Sequence, residues 1–396
     1  MVGAAGGAAG RERFDALDSL RGLCACAVAV GHVSSDGALS DIFRNVALCV
    51  DFFFVLSGFV IAASYGAALR GGFPVGRFMA LRLGRLLPLH VAVLLGFLAI
   101  ELGMLLLQIP SASGRAPFDG LRSAETLPLF LLLVQIFVPD AVPHWNGPSW
   151  SIAAEMWVYL FAALGLSLLR DRFRWVLAAA IPLCIVLLAL LAGRLTEVTF
   201  LSPLRCLLGF AIGMLCFDLH RLLRARLAGA STGALSAAEW TLGVAAAAGI
   251  FLLGEGAGAF AMPFVFAALI LFVAQHRGTL SRGLLAAPLR WLGKVSYSIY
   301  MVHMLVLTVF MKLLAALPPT AALVADSAAA AQAGGPRLTG GAAADLITVA
   351  FLLLVLAASA ISYRLVEAPF RAASRRWVER RGAVRVREAE RVAPTM

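Results

Sequence analysis

Residues 14–32 read FDALDSLRGLCACAVAVGH, a run apolar enough to cross a membrane as a helix, yet carrying Arg21 and His32. On an α-helix the eleven-residue interval makes about three turns, with a drift of roughly 20° and a rise of about 16 Å, so both side chains lie on one stripe. Ionisable groups at bilayer depth cost about 2.5–3.5 kcal/mol each on insertion scales and therefore turn toward an interior cavity and a partner. His32 thus reads either as a functional imidazole or as a satisfied core residue, and the rest of the chain has to decide.

The surrounding composition fixes the class. The 396 residues are 61% hydrophobic and 14% charged, with a mean hydropathy of +0.90, whereas soluble domains carry about a quarter charged residues. The chain therefore reads as an all-α, polytopic transmembrane helical bundle. Its net charge of +11 sits mostly in short arginine-bearing loops between apolar runs, which is topology rather than a nucleic-acid surface. No nucleic-acid partner is expected. Residues 1–10 have no basic side chain ahead of the apolar run, so the N-terminus is expected to stay uncleaved. Six cysteines lie in apolar stretches without CxxC or zinc spacing, and read as small hydrophobes with no metal site.

Ten spans are expected, near 17–34, 46–65, 86–109, 150–169, 175–192, 203–217, 240–253, 259–274, 295–314 and 344–363. Residues 127–138 form a twelve-residue apolar run, short of the roughly twenty that a crossing needs. Reading that run as re-entrant or interfacial places Arg82, Arg85, Arg170, Arg224, Arg290, Lys294 and the basic tail on the side of the N-terminus. The positive-inside rule then puts both termini in the cytoplasm. The chain divides into a 1–13 tail expected to be disordered, one transmembrane domain over 14–370, and a basic cytoplasmic tail over 371–396 that would lie on anionic lipid.

With orientation fixed, His32, Asp51 and Glu155 fall at similar depth near the outer face, and Ser151 shares a helix face with Glu155. A base tuned near neutrality with a carboxylate to set its tautomer is what proton handling requires. The alternative reading is that the two carboxylates merely pair with His32 or Arg21 to hold spans together. At the opposite face Arg82 and Arg85 share a helical face at the start of the third span. Guanidinium groups so placed suit phosphate, although positive-inside anchoring would also account for them. His303, in SYSIYMVH, lines the same tunnel or makes a helix–helix hydrogen bond. Glu367 and Arg371, four apart, are expected to pair.

These stretches are similar to the acyltransferase 3 family of membrane enzymes. The matching pieces, in family order, are DSLRGLCACAVAVGH, DFFFVLSGFVI from Asp51, RLGR at 82–85, NGPSWSIAAEMWVYLF around Glu155, LGKVSYSIYMVHMLV and YRLVEAPFR. The resemblance implies a ten-span fold with His32 catalytic, Arg21 its partner, Glu155 in the active centre, and Arg82 and Arg85 at an acyl-CoA site; from depth alone, Asp51 or Glu155 is expected to orient the His32 ring in catalysis. Asn146, Trp150, Ser151 and His303 are then expected on the acceptor side. One departure is Met156–Trp157, where many members carry an acidic residue and a Gln-type residue.

The expected activity is O-acylation: an acyl group, acetyl in the first instance, moves from cytosolic acyl-CoA to a hydroxyl of a sugar, surface glycan or glycolipid. His32 would serve as base or as acyl relay. Membrane lipids and surface-polysaccharide assembly proteins are the expected partners, and the bacterial cytoplasmic membrane the expected location. A proton-coupled transporter or lipid flippase is the rival class, because intramembrane His, Asp and Arg also mark proton paths. A structural partner in a polysaccharide-assembly complex is a third.

Overall fold

A computed structural model describes residues 14–108, 116–139, 144–196, 198, 200–317, 324–325 and 337–392, with side chains to 380. The expectation for residues 1–13 lies outside them. The helices, in order, are α1 (Asp15–Gly31), α2 (Ala38–Ile42), α3 (Leu48–Ile61), α4 (Ala67–Arg70), α5 (Val75–Leu106), α6 (Leu127–Leu131), α7 (Ser149–Leu169) and α8 (Phe173–Leu191). They continue as α9 (Ser202–Gly229), α10 (Thr232–Leu252), α11 (Met262–Val273), α12 (Thr279–Leu284), α13 (Ala287–Ala316), α14 (Ala342–Ser362) and α15 (Ala368–Val392). Among the described residues, seven continuous helical stretches are long and apolar enough to cross a membrane, and one of them, Ser149–Leu191, turns between α7 and α8. Every apolar run expected as a span coincides with a helix, with α1 and the stretch Ala257–Val273 shorter than the seven.

Local sequence sets the helix ends. Asp15 and Asp18 sit in the first turn of α1, where carboxylates complement the helix dipole. Ser231 caps α10 by accepting from the amide of Ala234 at 3.1 Å. Proline lies in the first turn of α6, α9, α11 and α13, where its missing N–H costs nothing. Helix α5 starts eleven residues earlier than the expected third span, so Arg77 lies in its first turn and Arg82 and Arg85 lie well inside it. Pro88 lies inside it, a break that neighbouring helices tolerate in membranes.

The run 127–138 does not form a spanning helix: α6 has five residues, followed by a 3-10 turn over Gln135–Phe137. It is pinned from both sides. His90 on α5 donates from Nε2 to the carbonyl of Phe130 at 2.9 Å, and Trp157 on α7 donates to that of Leu133 at 2.9 Å. His90 and His220 are both buried.

Small residues bring the central helices together, as expected where lipid supplies no hydrophobic drive between helices. A Cβ on Gly22 would stand 2.5 Å from the backbone carbon of Leu292, and one on Gly293 at 2.5 Å from that of Asp18. Helix α1 therefore lies backbone to backbone along α13. The same device joins α3 to α9, where a Cβ on Gly213 would collide with the carbonyl of Val55 and one on Gly58 with that of Phe210. At the far end Asp36 accepts the amides of Gly340 and Gly341, and Leu338 bridges Ser34 and Asp36 through its backbone. Among the described residues β structure is confined to the pair Val324–Ala325 with Arg337–Leu338 and this bridge.

Candidate active site

Arg21 is fixed by three partners. Its Nε donates to Ser296 Oγ at 2.8 Å, its Nη2 to the carbonyl of Gly293 at 3.1 Å, and it pairs with Asp18 at 2.9 Å. It ties α1 to α13 and sits at one end of the stripe, about three helical turns from His32. No bond joins it to His32, contrary to a direct partnership.

At the other end of α1, His32 is exposed, and its Nδ1 lies 2.8 Å from the carbonyl of Val28. A carbonyl only accepts, so Nδ1 carries the proton and Nε2 keeps its lone pair. His303 repeats the arrangement on α13: Nδ1 meets the carbonyl of Ile299 at 3.2 Å, and Nε2 is buried without a hydrogen-bond partner. The two rings stand 4.9 Å apart, centroid to centroid. Gly22 opposes Gly293 and His32 opposes His303, so the helices run parallel in register through the whole stripe.

The expected carboxylate neighbours are elsewhere. Asp51 is 1% exposed and receives Arg205 twice, from Nε at 2.9 Å and Nη2 at 2.8 Å. Trp150, expected to face substrate, is buried with the Arg205 guanidinium 5.2 Å from its ring. The guanidinium satisfies Asp51 bidentately, which leaves no geometry for the carboxylate to orient His32. Glu155 accepts from the hydroxyl of Tyr159 at 2.5 Å, again away from His32.

Tyr159 organises the arginine end. Its single proton goes to Glu155, so its oxygen accepts from Arg82 Nη2 at 2.8 Å and from Ser57 at 2.7 Å. The Arg82 guanidinium also lies 4.5 Å from the Tyr159 ring centre, within cation–π range. Yet the Nε groups of Arg82 and Arg85 are both buried without a partner.

Two contiguous spaces meet at these arginines. A vestibule of about 1270 Å³ opens among Arg21, Arg82, Arg85, Arg290, Lys294 and Arg375, with Asp15, Asp18 and Glu379 also lining it. Arg21, Val60, Arg82 and Arg85 form the neck to an inner cavity of about 90 Å³. This cavity rises past Ser57, Glu155 and Tyr159 to Ser151, Phe53, Val50 and Tyr300. From Ile61 to Val50 on α3 that is about 16 Å. Ser151 and Tyr300 close it, 2.8 Å apart, and the edge of Phe53 meets the Tyr300 ring at 5.6 Å. Tyr300 in turn lies 5.9 Å from the ring of His303.

Arg21, Arg82, Arg85, Ser151 and Glu155 thus share one cavity system, and His32 and His303 pair one helical turn beyond its closed end. Asp51, Trp150 and Asn146 pack outside it, Asn146 donating to the carbonyl of Met301 at 3.2 Å. Tyr159 and Tyr300 were missed, although Tyr159 follows Glu155 by four residues on one helical face. Arg205 was missed too, and an arginine inside an apolar run is itself a signal.

The family model for the acyltransferase domain matches residues 14–364. An acyltransferase named MdmB from Streptomyces mycarofaciens is 28% identical over 327 residues, covering 74% of this chain and 79% of that protein. Protein 2 in the picA locus of Rhizobium radiobacter is 32% identical over 160 residues, 37% of this chain and 78% of that protein. No solved structure matches. With its apolar helices and a family match across nearly the whole described bundle, the chain belongs to the acyltransferase domain family and is an integral-membrane acyltransferase.

Proposed function

We propose that the enzyme transfers an acyl group, acetyl in the first instance, from cytosolic acyl-CoA to a hydroxyl of a sugar, surface glycan or glycolipid. In this reading the chain crosses a bacterial inner membrane ten times with both termini in the cytoplasm, and the arginine vestibule faces the cytosol. The observation that carries it is the pair Arg82 and Arg85: two guanidiniums at the neck, three residues apart, each with a buried Nε lacking an acceptor. Buried charged donors without acceptors are costly, and adjacent like charges add to the cost. A phosphate-bearing ligand relieves both.

The donor's phosphates would lie in the vestibule and its arm would rise through the inner cavity toward Tyr300. His32, exposed at the opposite end of α1, would take the proton of the acceptor hydroxyl on its free Nε2. The hydroxyl oxygen then attacks the thioester carbon, the C–O bond forms, the C–S bond breaks and the thiolate leaves. Glu155 supports this from a distance by holding Tyr159 against Arg82, and Asp51 by holding α3 to α9.

Purified protein in lipid nanodiscs, given labelled acetyl-CoA and a thiol reagent, tests the reading. Release of free CoA that depends on added glycan or glycolipid acceptor supports it. Tight donor binding with no CoA release under any acceptor would contradict it.

A further inference from the structure

We infer that His303 is the second member of a proton relay that carries the acceptor's proton from His32 to the departing thiolate. This rests on the reading above and extends it: the oxygen that His32 deprotonates and the sulfur that leaves are bound to the same carbon at the moment of exchange, and a second imidazole beside His32 supplies the acid that returns the proton to that sulfur.

The geometry places an imidazole where such a path needs one. His303 is 0% exposed, its ring is 4.9 Å from that of His32, and its Nε2 is a buried acceptor with nothing to accept. A buried polar atom in that state is rare and calls for a reason. Both rings hold their Nδ1 protons on carbonyls of their own helices, at Val28 and Ile299, so both present the same free nitrogen. With the ring centres 4.9 Å apart, a proton passes between the two Nε2 atoms directly or through one bridging water. On the other side of His303 stands Tyr300, 5.9 Å away, the residue that closes the donor cavity.

The steps are then complete. His32 Nε2 takes the hydroxyl proton as the oxygen attacks the thioester carbon. The imidazolium passes that proton to His303 Nε2. His303 releases it to the thiolate formed when the C–S bond breaks, and both imidazoles return to their starting state. No oxidant, reductant or metal enters the balance. A purely structural His303 would instead be replaceable by a side chain of similar size that fills the same space, and the proton inventory of the wild-type enzyme would be linear.

His303→Gln keeps an amide acceptor near the Nε2 position but cannot carry a proton. The relay predicts that its kcat for acceptor-dependent CoA release falls by about 100-fold or more, with KM for acetyl-CoA unchanged. A proton inventory on the wild-type enzyme should be curved, reporting more than one proton in flight. A Gln variant within about threefold of wild-type kcat, or a linear inventory, overturns the relay while leaving the acyltransfer reading intact. If the Gln variant does not accumulate in membranes, the wild-type inventory decides alone. No CoA release by the wild-type enzyme overturns the relay and the acyltransfer reading together.

Discussion

Asp51 and Arg205 form an ion pair with both side chains at most 1% exposed, 2.8 Å apart, joining α3 to α9 beside the inner cavity. Together with the Gly58 and Gly213 contacts it fixes where the cavity wall of α3 stands. In a low-dielectric interior, removing one partner leaves an uncompensated charge. Asp51→Ala or Arg205→Ala should each cost about 3–5 kcal/mol, whereas an apolar pair of similar volume should recover most of it. Thermal unfolding in detergent of the single and double variants checks this. A stable, inactive Asp51→Asn protein would instead point to a chemical role for the carboxylate.

Tyr159 lies between Arg82, Ser57 and Glu155 and hydrogen-bonds to all three. Tyr159→Phe removes one hydroxyl and strands several charged or polar atoms, at about 1–3 kcal/mol. Because Arg82 stands at the neck, the loss should appear as a roughly 5- to 150-fold rise in KM for acyl-CoA with a smaller change in kcat. Steady-state kinetics with varied donor decide the point, and a pure kcat effect would place Tyr159 at the chemistry instead.

Backbone contact between α1 and α13 sets the distance between the two imidazoles. Gly22→Val puts a branched side chain against the Leu292 backbone, which cannot swing away. Overpacking of this kind costs about 1–3 kcal/mol. More tellingly, it should part His32 from His303 and depress turnover even in protein that remains inserted. A cysteine cross-link engineered between α1 and α13 near the rings should form less readily in the Val variant.

At the outer end the Asp36 carboxyl is held below its ordinary value of 3.8, chiefly by the amide of Gly341 and then by that of Gly340. A depressed acid contributes fully above its unfolded value and loses the contribution as pH falls through the folded one. Amide exchange at Gly340 and Gly341, corrected for intrinsic rate, should stay constant from about pH 7 to about pH 5 and accelerate only below the ordinary carboxylate range. Asp36→Asn should accelerate it at every pH.

Much of this arrangement was legible in the chain. The eleven-residue interval between Arg21 and His32 gave the depth axis, and the twelve-residue length of 127–138 kept it from being counted as a span. Pairings between distant helices were not legible. Arg205 meets Asp51 across 154 positions, and nothing local to LSPLRCLLG says which of several carboxylates it will find. His32 was expected beside an acid, because a carboxylate is the usual partner of a catalytic imidazole. The parallel register of α1 and α13 brings it a second imidazole instead, and that register depends on Gly22 and Gly293 jointly. Tyr159 was hidden by its composition, since an aromatic residue in an apolar helix ordinarily faces lipid.

The most direct test of the whole account separates donor binding from chemistry in two variants. His32→Gln in nanodiscs should bind labelled acetyl-CoA as the wild type does and release no CoA when acceptor is added, while Arg85→Met should lose the binding itself. A His32→Gln enzyme that turns over at the wild-type rate would contradict the account at its centre.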